Sequence, residues 1–270
     1  MAHVSTPPPG GFSRPGIWAR GAVGVAALFL ASEALGRAEI VDRSYLPPAS
    51  EITMRALELA GDSEFLFNVR VTLTAWALGL LIASAIAVPL GLLLGSVPAV
   101  NTAVRAIVEF LRPIPSVALI PLAALLFGSG LEMEVPLVVY ASSWPILFNT
   151  MYGLQEVDPT AKETLRSFGF GRLQVLLRVS LPSAAPFIAT GVRLAASIAL
   201  ILAIATEILS GFGDGLGMFI AMAYNVPDGA VDVLAGTVWA GCLGLVIDTV
   251  LGQGEKRVFH WHKAQGSGAT

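Results

Sequence analysis

Arg193 and Glu207 stand inside an apolar run, 186–209, where no water would solvate a charge. Ionisable residues in such a setting are costly in lipid and face a cavity, a partner or a transport path. Fourteen positions separate them, about 21 Å along a helix, so they do not pair with each other. An earlier apolar run carries Ser142, Ser143, Asn149 and Thr150. These polar groups either line a passage or bond back to carbonyls of their own helix, and spacing does not separate the two readings. Ser143, Asn149, Arg193 and Glu207 are therefore the candidate residues of a translocation path or gate.

Other chemistries lack their groups. A nucleotide-binding P-loop needs a lysine directly after a glycine, but the lysines are Lys162, Lys256 and Lys263, and none follows one. "GFGDGLG" (211–217) is glycine-rich without matching G-x-G-x-x-G and reads as a flexible outer loop. His260 and His262 would ligate a metal only as a bare pair, with no carboxylate or cysteine cluster beside them; with Trp261 they read as interface residues. Paired carboxylates, a histidine cluster or a nucleophile elbow do not occur on any one apolar run. The expectation is no catalytic, cofactor or metal site in this chain.

The elements that must position these residues are set by composition. Of the 270 residues 55% are hydrophobic and only 13% charged, and the mean hydropathy is +0.74. Soluble domains are about 45–50% apolar and about 25% charged, so this is an integral membrane protein. A net charge of −3 suggests no nucleic-acid partner. The lone Cys242 excludes an internal disulfide framework.

Six apolar segments approach the roughly 20 residues that cross a bilayer, near 17–36, 68–95, 113–130, 135–153, 186–209 and 233–252. "LEMEV", between the third and fourth, reads as a tight turn between antiparallel spans. The first segment also resembles a signal peptide, but the charge distribution works with the span retained. With both ends inside, the inner segments hold Arg14, Arg20, Arg105, Arg112, Lys162, Arg166, Arg172, Arg178, Lys256, Arg257 and Lys263, and the outer ones only Arg37, Arg43, Arg55 and Arg70. That asymmetry places both termini in the cytoplasm. Gly91 and Gly95 make a GxxxG step for close packing, either within the chain or across a dimer.

The densest charge lies in "KETLRSFGFGRLQVLLRVSLP" (162–182). Asp158 as N-cap, Pro159 at the first helical position and Gly169 at a positive-φ stop predict a helix over 159–168. A second helix runs from Arg172 to Pro182, which turns the chain towards the fifth span. The stretch is either an amphipathic helix on anionic lipid headgroups or a protein interface. In the second reading Leu165 and Phe168 anchor, and Lys162 and Arg166 surround them.

From Glu163 the chain reads E-T-L-R-S-F-G, then nine residues, then V-S-L-P, so that Glu163, Gly169, Val179, Leu181 and Pro182 fall in register with E-A-A-x3-G-x9-I-x-L-P. This resembles the cytoplasmic signature of ABC-importer permeases, with Thr164 and Leu165 where the family usually has alanines. "LRPIPSVALIPLAALLFG", "PILFNTMYGLQEVDP" and "PFIATGVRLAASIAL" look like the permeases for nitrate, sulfonates and taurine, and the resemblance covers roughly 64–262.

The resemblance implies an all-α membrane protein of about six transmembrane helices with type I importer architecture. Its parts would be a cytoplasmic tail (1–16), a first span and outer segment (17–63), a permease core (64–262) with a coupling helix at about 159–168, and a C-terminal tail (263–270). Glu163, Leu165, Arg166, Phe168, Gly169 and Pro182 would couple it to the ATPase. The implied partners are two ATPase subunits holding ATP and Mg, an extracytoplasmic substrate-binding protein, a second copy of this chain, and the lipid bilayer. The solute would be small and anionic: nitrate, a sulfonate, taurine or a related compound. A secondary transporter, or an importer of this type for a vitamin precursor or aromatic acid, is the alternative.

Overall fold

The computed structural model describes residues 14–38, 40 and 42–259. All the regular structure in them is helical: α1 (Arg14–Arg37), α2 (Ala49–Leu59), α3 (Ser63–Ser96), α4 (Pro98–Leu111), a 3-10 turn (Ser116–Leu119), α5 (Ile120–Phe127), α6 (Leu131–Gln155), α7 (Pro159–Ser167), α8 (Arg172–Val175), a π turn (Leu176–Ser180), α9 (Leu181–Ser210), α10 (Leu216–Tyr224) and α11 (Ala230–Val258). Among the described residues three stretches are long and apolar enough to cross a membrane: Ser63–Ser96, Arg172–Ser210 and Ala230–Val258. The histidine pair and the C-terminal tail lie outside the described residues, as does most of the N-terminal tail.

The core is a three-helix contact of α3, α6 and α9. Ala83, Ala87, Ala195 and Ala196 are fully or almost fully buried there, together with Ile146, Leu147, Leu80 and Leu94. In lipid, helices gain little from burying apolar surface and associate through close packing, so small residues belong at this seam. The GxxxG step serves it within the chain. A β-carbon on Gly91 would stand 2.7 Å from Thr150 Cβ, and one on Gly95 2.7 Å from Leu154 Cδ1. Trp76 Nε1 donates to the Ala196 carbonyl at 2.9 Å and fixes the register of α3 on α9.

Around this trio the outer segments assemble separately. Phe65 meets Phe219 and Trp239 edge to face, at centroid distances of 4.9 and 5.4 Å. Trp239 Nε1 donates to the Ala56 carbonyl, and Arg55 binds Asp232. Those contacts join α2, α3, α10 and α11. Helix α1 meets α2 where Gly36 packs on Pro47 and Pro48 and Glu33 accepts from Ser50. Val23, Val25, Leu28 and Leu30 along it are all well exposed.

Three sequence expectations change. "LEMEV" is no turn but the opening of α6; the chain reverses just before it, at Gly128 and Gly130, whose φ values are 82° and 71°. The third apolar segment is not one long helix. Pro113, Pro115 and Pro121 remove backbone donors, leaving a 3-10 turn and the eight-residue α5. The stretch 116–127 extends about 18 Å, short of the roughly 30 Å hydrocarbon. Pro182 does not turn the chain. Arg172–Ser210 is one helical stretch, and the donor missing at Pro182 is accommodated by the preceding π turn, where hydrogen bonds reach one residue further.

Candidate functional site

The expected coupling segment is built by local chemistry. Asp158 Oδ1 accepts from Thr160 N at 2.8 Å and caps α7. At the other end Phe170 N donates to Leu165 O at 3.1 Å and Gly169 N to Arg166 O at 2.9 Å, the paired bonds of a Schellman stop. Gly169 has φ 83°, which a side chain would strain. The helix ends at Ser167, so Phe168 is its C-cap residue, and Phe168 is 78% exposed. Leu165 is half-buried, while Glu163 and Arg166 are exposed. Lys162 Nζ donates to the Leu154 carbonyl and ties α7 to the end of α6. The segment thus offers an exposed aromatic ring beside charged groups on a short, firmly stopped helix. Pro182 sits apart from it, within the first turn of α9.

The two charges of α9 have separate partners. Arg193 Nε and Nη2 donate to the two carboxylate oxygens of Asp248 at 2.7 and 2.8 Å, and Nη1 stands 3.7 Å from Glu255. Glu255 also accepts from Thr190 Oγ1 at 2.9 Å. A β-carbon on Gly252 would lie 3.0 Å from the guanidinium carbon, so α11 presses on the ion pair. Sequence reading missed Asp248. Its signal was available: a lone acid in the apolar run "LVIDTVL".

Glu207 is 1% exposed and turned into the protein at the far end of α9. Its Oε2 accepts from Gly217 N at 2.7 Å. The glycine-rich loop above it is pinned rather than free. Gly215 N donates to Asn68 Oδ1 at 2.8 Å, and Leu216 N donates to Thr72 Oγ1 at 2.8 Å. Gly215 has φ 141°, and a β-carbon there would stand 2.3 Å from Glu207 Cδ. The loop expected to be flexible is therefore seated on α3 and α9 by three backbone donors.

Three polar side chains of α6 bond locally. Ser143 Oγ donates to Val139 O, Thr150 Oγ1 to Ile146 O and Asn149 Nδ2 to Pro145 O, each four residues back. Ser143→Ala is expected to change thermal stability by under about 1 kcal/mol, because the carbonyl keeps its helical bond. A drop in transport by Ser143→Ala at unchanged stability would mark that hydroxyl as facing solute.

The chain matches the model of the binding-protein-dependent transport system inner membrane component over residues 87–260. It belongs to that family. It is thus a multi-pass inner-membrane permease subunit of an ABC importer, with a transport role rather than a catalytic one. A putative ABC transporter permease of Methanocaldococcus jannaschii is 34% identical over 206 residues, 76% of each chain. The Escherichia coli taurine transport system permease TauC is 28% identical over 230 residues, 83% of this permease and 82% of TauC. The Leptolyngbya laminosa nitrate import permease NrtB is 28% identical over 191 residues, 71% and 68% of the two chains. The fold is that of a chain in a structure of the methionine ABC transporter MetNI in inward-facing conformations, with a TM-score of 0.63 at 20% identity, covering 72% of this permease and 95% of that chain.

Proposed function

We propose that this permease imports a small anionic solute and takes its driving force from a separate ATPase through α7. Relatives named for nitrate, taurine, bicarbonate and aliphatic sulfonates support the solute class. The observation that carries the coupling role is the α7 stop: a capped helix ended by Gly169 at positive φ, with Phe168 projecting. Two copies of the permease form the pathway, each engaging one ATPase subunit that holds ATP and Mg. An extracytoplasmic binding protein delivers solute on the opposite face. The termini and α7 lie on the cytoplasmic side, in keeping with the basic residues of the inner segments.

Gly169→Val tests the coupling. Holding a valine at positive φ costs on the order of 1–3 kcal/mol and is relieved by moving α7. Among the described residues nothing stands within 4 Å of the added β-carbon, so the packing of the spans is left alone. The expected result is normal membrane insertion with several-fold less ATPase co-purifying and less substrate-stimulated hydrolysis. A Lys162, Arg166 and Arg172 to Gln variant runs beside it. Normal assembly and hydrolysis in the valine variant would end the coupling reading, and losses only in the Gln variant would favour a lipid-surface segment.

A further inference from the structure

Among the described residues, most arginines have internal partners. Arg37, Arg43, Arg55 and Arg193 bind carboxylates, and Arg70, Arg112 and Arg178 lie over aromatic rings. Arg166 and Arg172 have neither kind of partner among the described residues, although Glu163 stands one helical turn from Arg166. Both instead line a cleft of about 840 Å³ bounded by the end of α3, the end of α6, α7 and the α8 segment. Lys162 lines it too, and spends one of its three protons on the Leu154 carbonyl. Ser96 and Ser180 add hydroxyls, and the lining contains no aspartate or glutamate.

Three cations facing one water-accessible space without a counter-charge attract an anion, and the guanidinium fork matches phosphate oxygens. Gly95, Ser96 and Val97 end the apolar run of α3, which puts the cleft at the level where a bilayer turns from hydrocarbon to headgroup.

We propose that this cleft binds a phosphate group, held by Arg166 and Lys162 of α7 and Arg172 of α8, and supplied by an anionic lipid headgroup or by free phosphate. The ligand bridges the two sides of the Gly169 turn. It thereby fixes the angle between α7 and the helix that continues into α9.

The full chain in maltoside micelles, which carry no phosphate, is titrated with inorganic phosphate in one series and with phosphatidylglycerol in another, at constant ionic strength set with chloride. A ligand that binds the folded state raises the thermal midpoint with concentration, and the rise yields an apparent Kd. Arg166→Gln with Arg172→Gln is expected to weaken that Kd by about fivefold per arginine removed, and Arg178→Gln, whose guanidinium does not line the cleft, to leave it unchanged. Arg172→Gln alone gives the same reading should the double variant not fold. A shift with inorganic phosphate identifies the free anion as the source, and a shift with phosphatidylglycerol alone identifies the headgroup. No shift with either probe, or an undiminished shift in the arginine variants, overturns the proposal. No ATPase is present, so the result is independent of whether α7 couples to one.

Discussion

Gly217→Val is expected to give a chain that reaches the membrane but does not hold α10 against α9. A β-carbon at this position would lie 2.3 Å from the Ile204 carbonyl oxygen and 2.8 Å from Glu207 Cβ, both on α9. The first is backbone and cannot swing away, so the loop or the helix must shift. Overpacking of this kind costs about 1–3 kcal/mol and occasionally more. The shift also separates Gly217 N from Glu207 Oε2, and a buried group left without its partner adds about 1–3 kcal/mol. The measurement is the thermal midpoint of the purified chain together with protease cleavage within 211–217. Glu207→Gln is the companion variant: its side-chain oxygen still accepts from Gly217, so it should retain the seat that Glu207→Leu loses. A Gly217→Val chain with native stability and a protected loop would refute the packing described at this end.

Arg193→Leu is expected to reduce transport more than tenfold. It leaves Asp248 and Glu255, two turns apart on one side of α11, without the guanidinium that both contact, inside a segment apolar enough to span a membrane. Breaking one side of such a pair is worse than removing both, because the remaining charge is uncompensated. The double variant Arg193→Leu with Asp248→Leu should therefore recover most of the thermal midpoint lost by the single one, and the comparison separates two roles. Recovery of transport along with stability makes the pair a brace between α9 and α11. Recovery of stability alone makes the arginine necessary to the transport step. A single variant that transports normally removes Arg193 from both.

What was legible in the sequence was what short-range chemistry decides. Asp158, Pro159 and Gly169 fix α7 through bonds spanning a few residues, and the structure places its ends within one residue of the expectation. Arg193 and Glu207 stood out because an apolar run has no other use for a charge. Their partners did not, because Asp248 is 55 positions from Arg193 and the loop held over Glu207 is pinned by Asn68, 147 positions from Gly215. A glycine-rich string reads as loose when the acceptors that hold its N–H groups are far away in the chain. Pro182 misled for another reason. A proline usually marks a boundary, but the π turn ahead of it lets the helix run through.

The run from Arg172 to Ser210 has a mechanical consequence. It is a single rod of 39 residues, with α7 attached at one end and the seated glycine loop at the other. Its irregularities, the π turn at Leu176–Ser180 and Pro186, both lie in the half nearest α7. Bending is therefore concentrated at an elbow there, and the remainder moves as a stiff arm. From Pro186 to Glu207 the arm beyond the elbow is about 32 Å long, so a tilt of about 5° there displaces its far end by about 3 Å. A tilt imposed at the α7 end would thus reach the glycine loop at the other end of the same helical stretch.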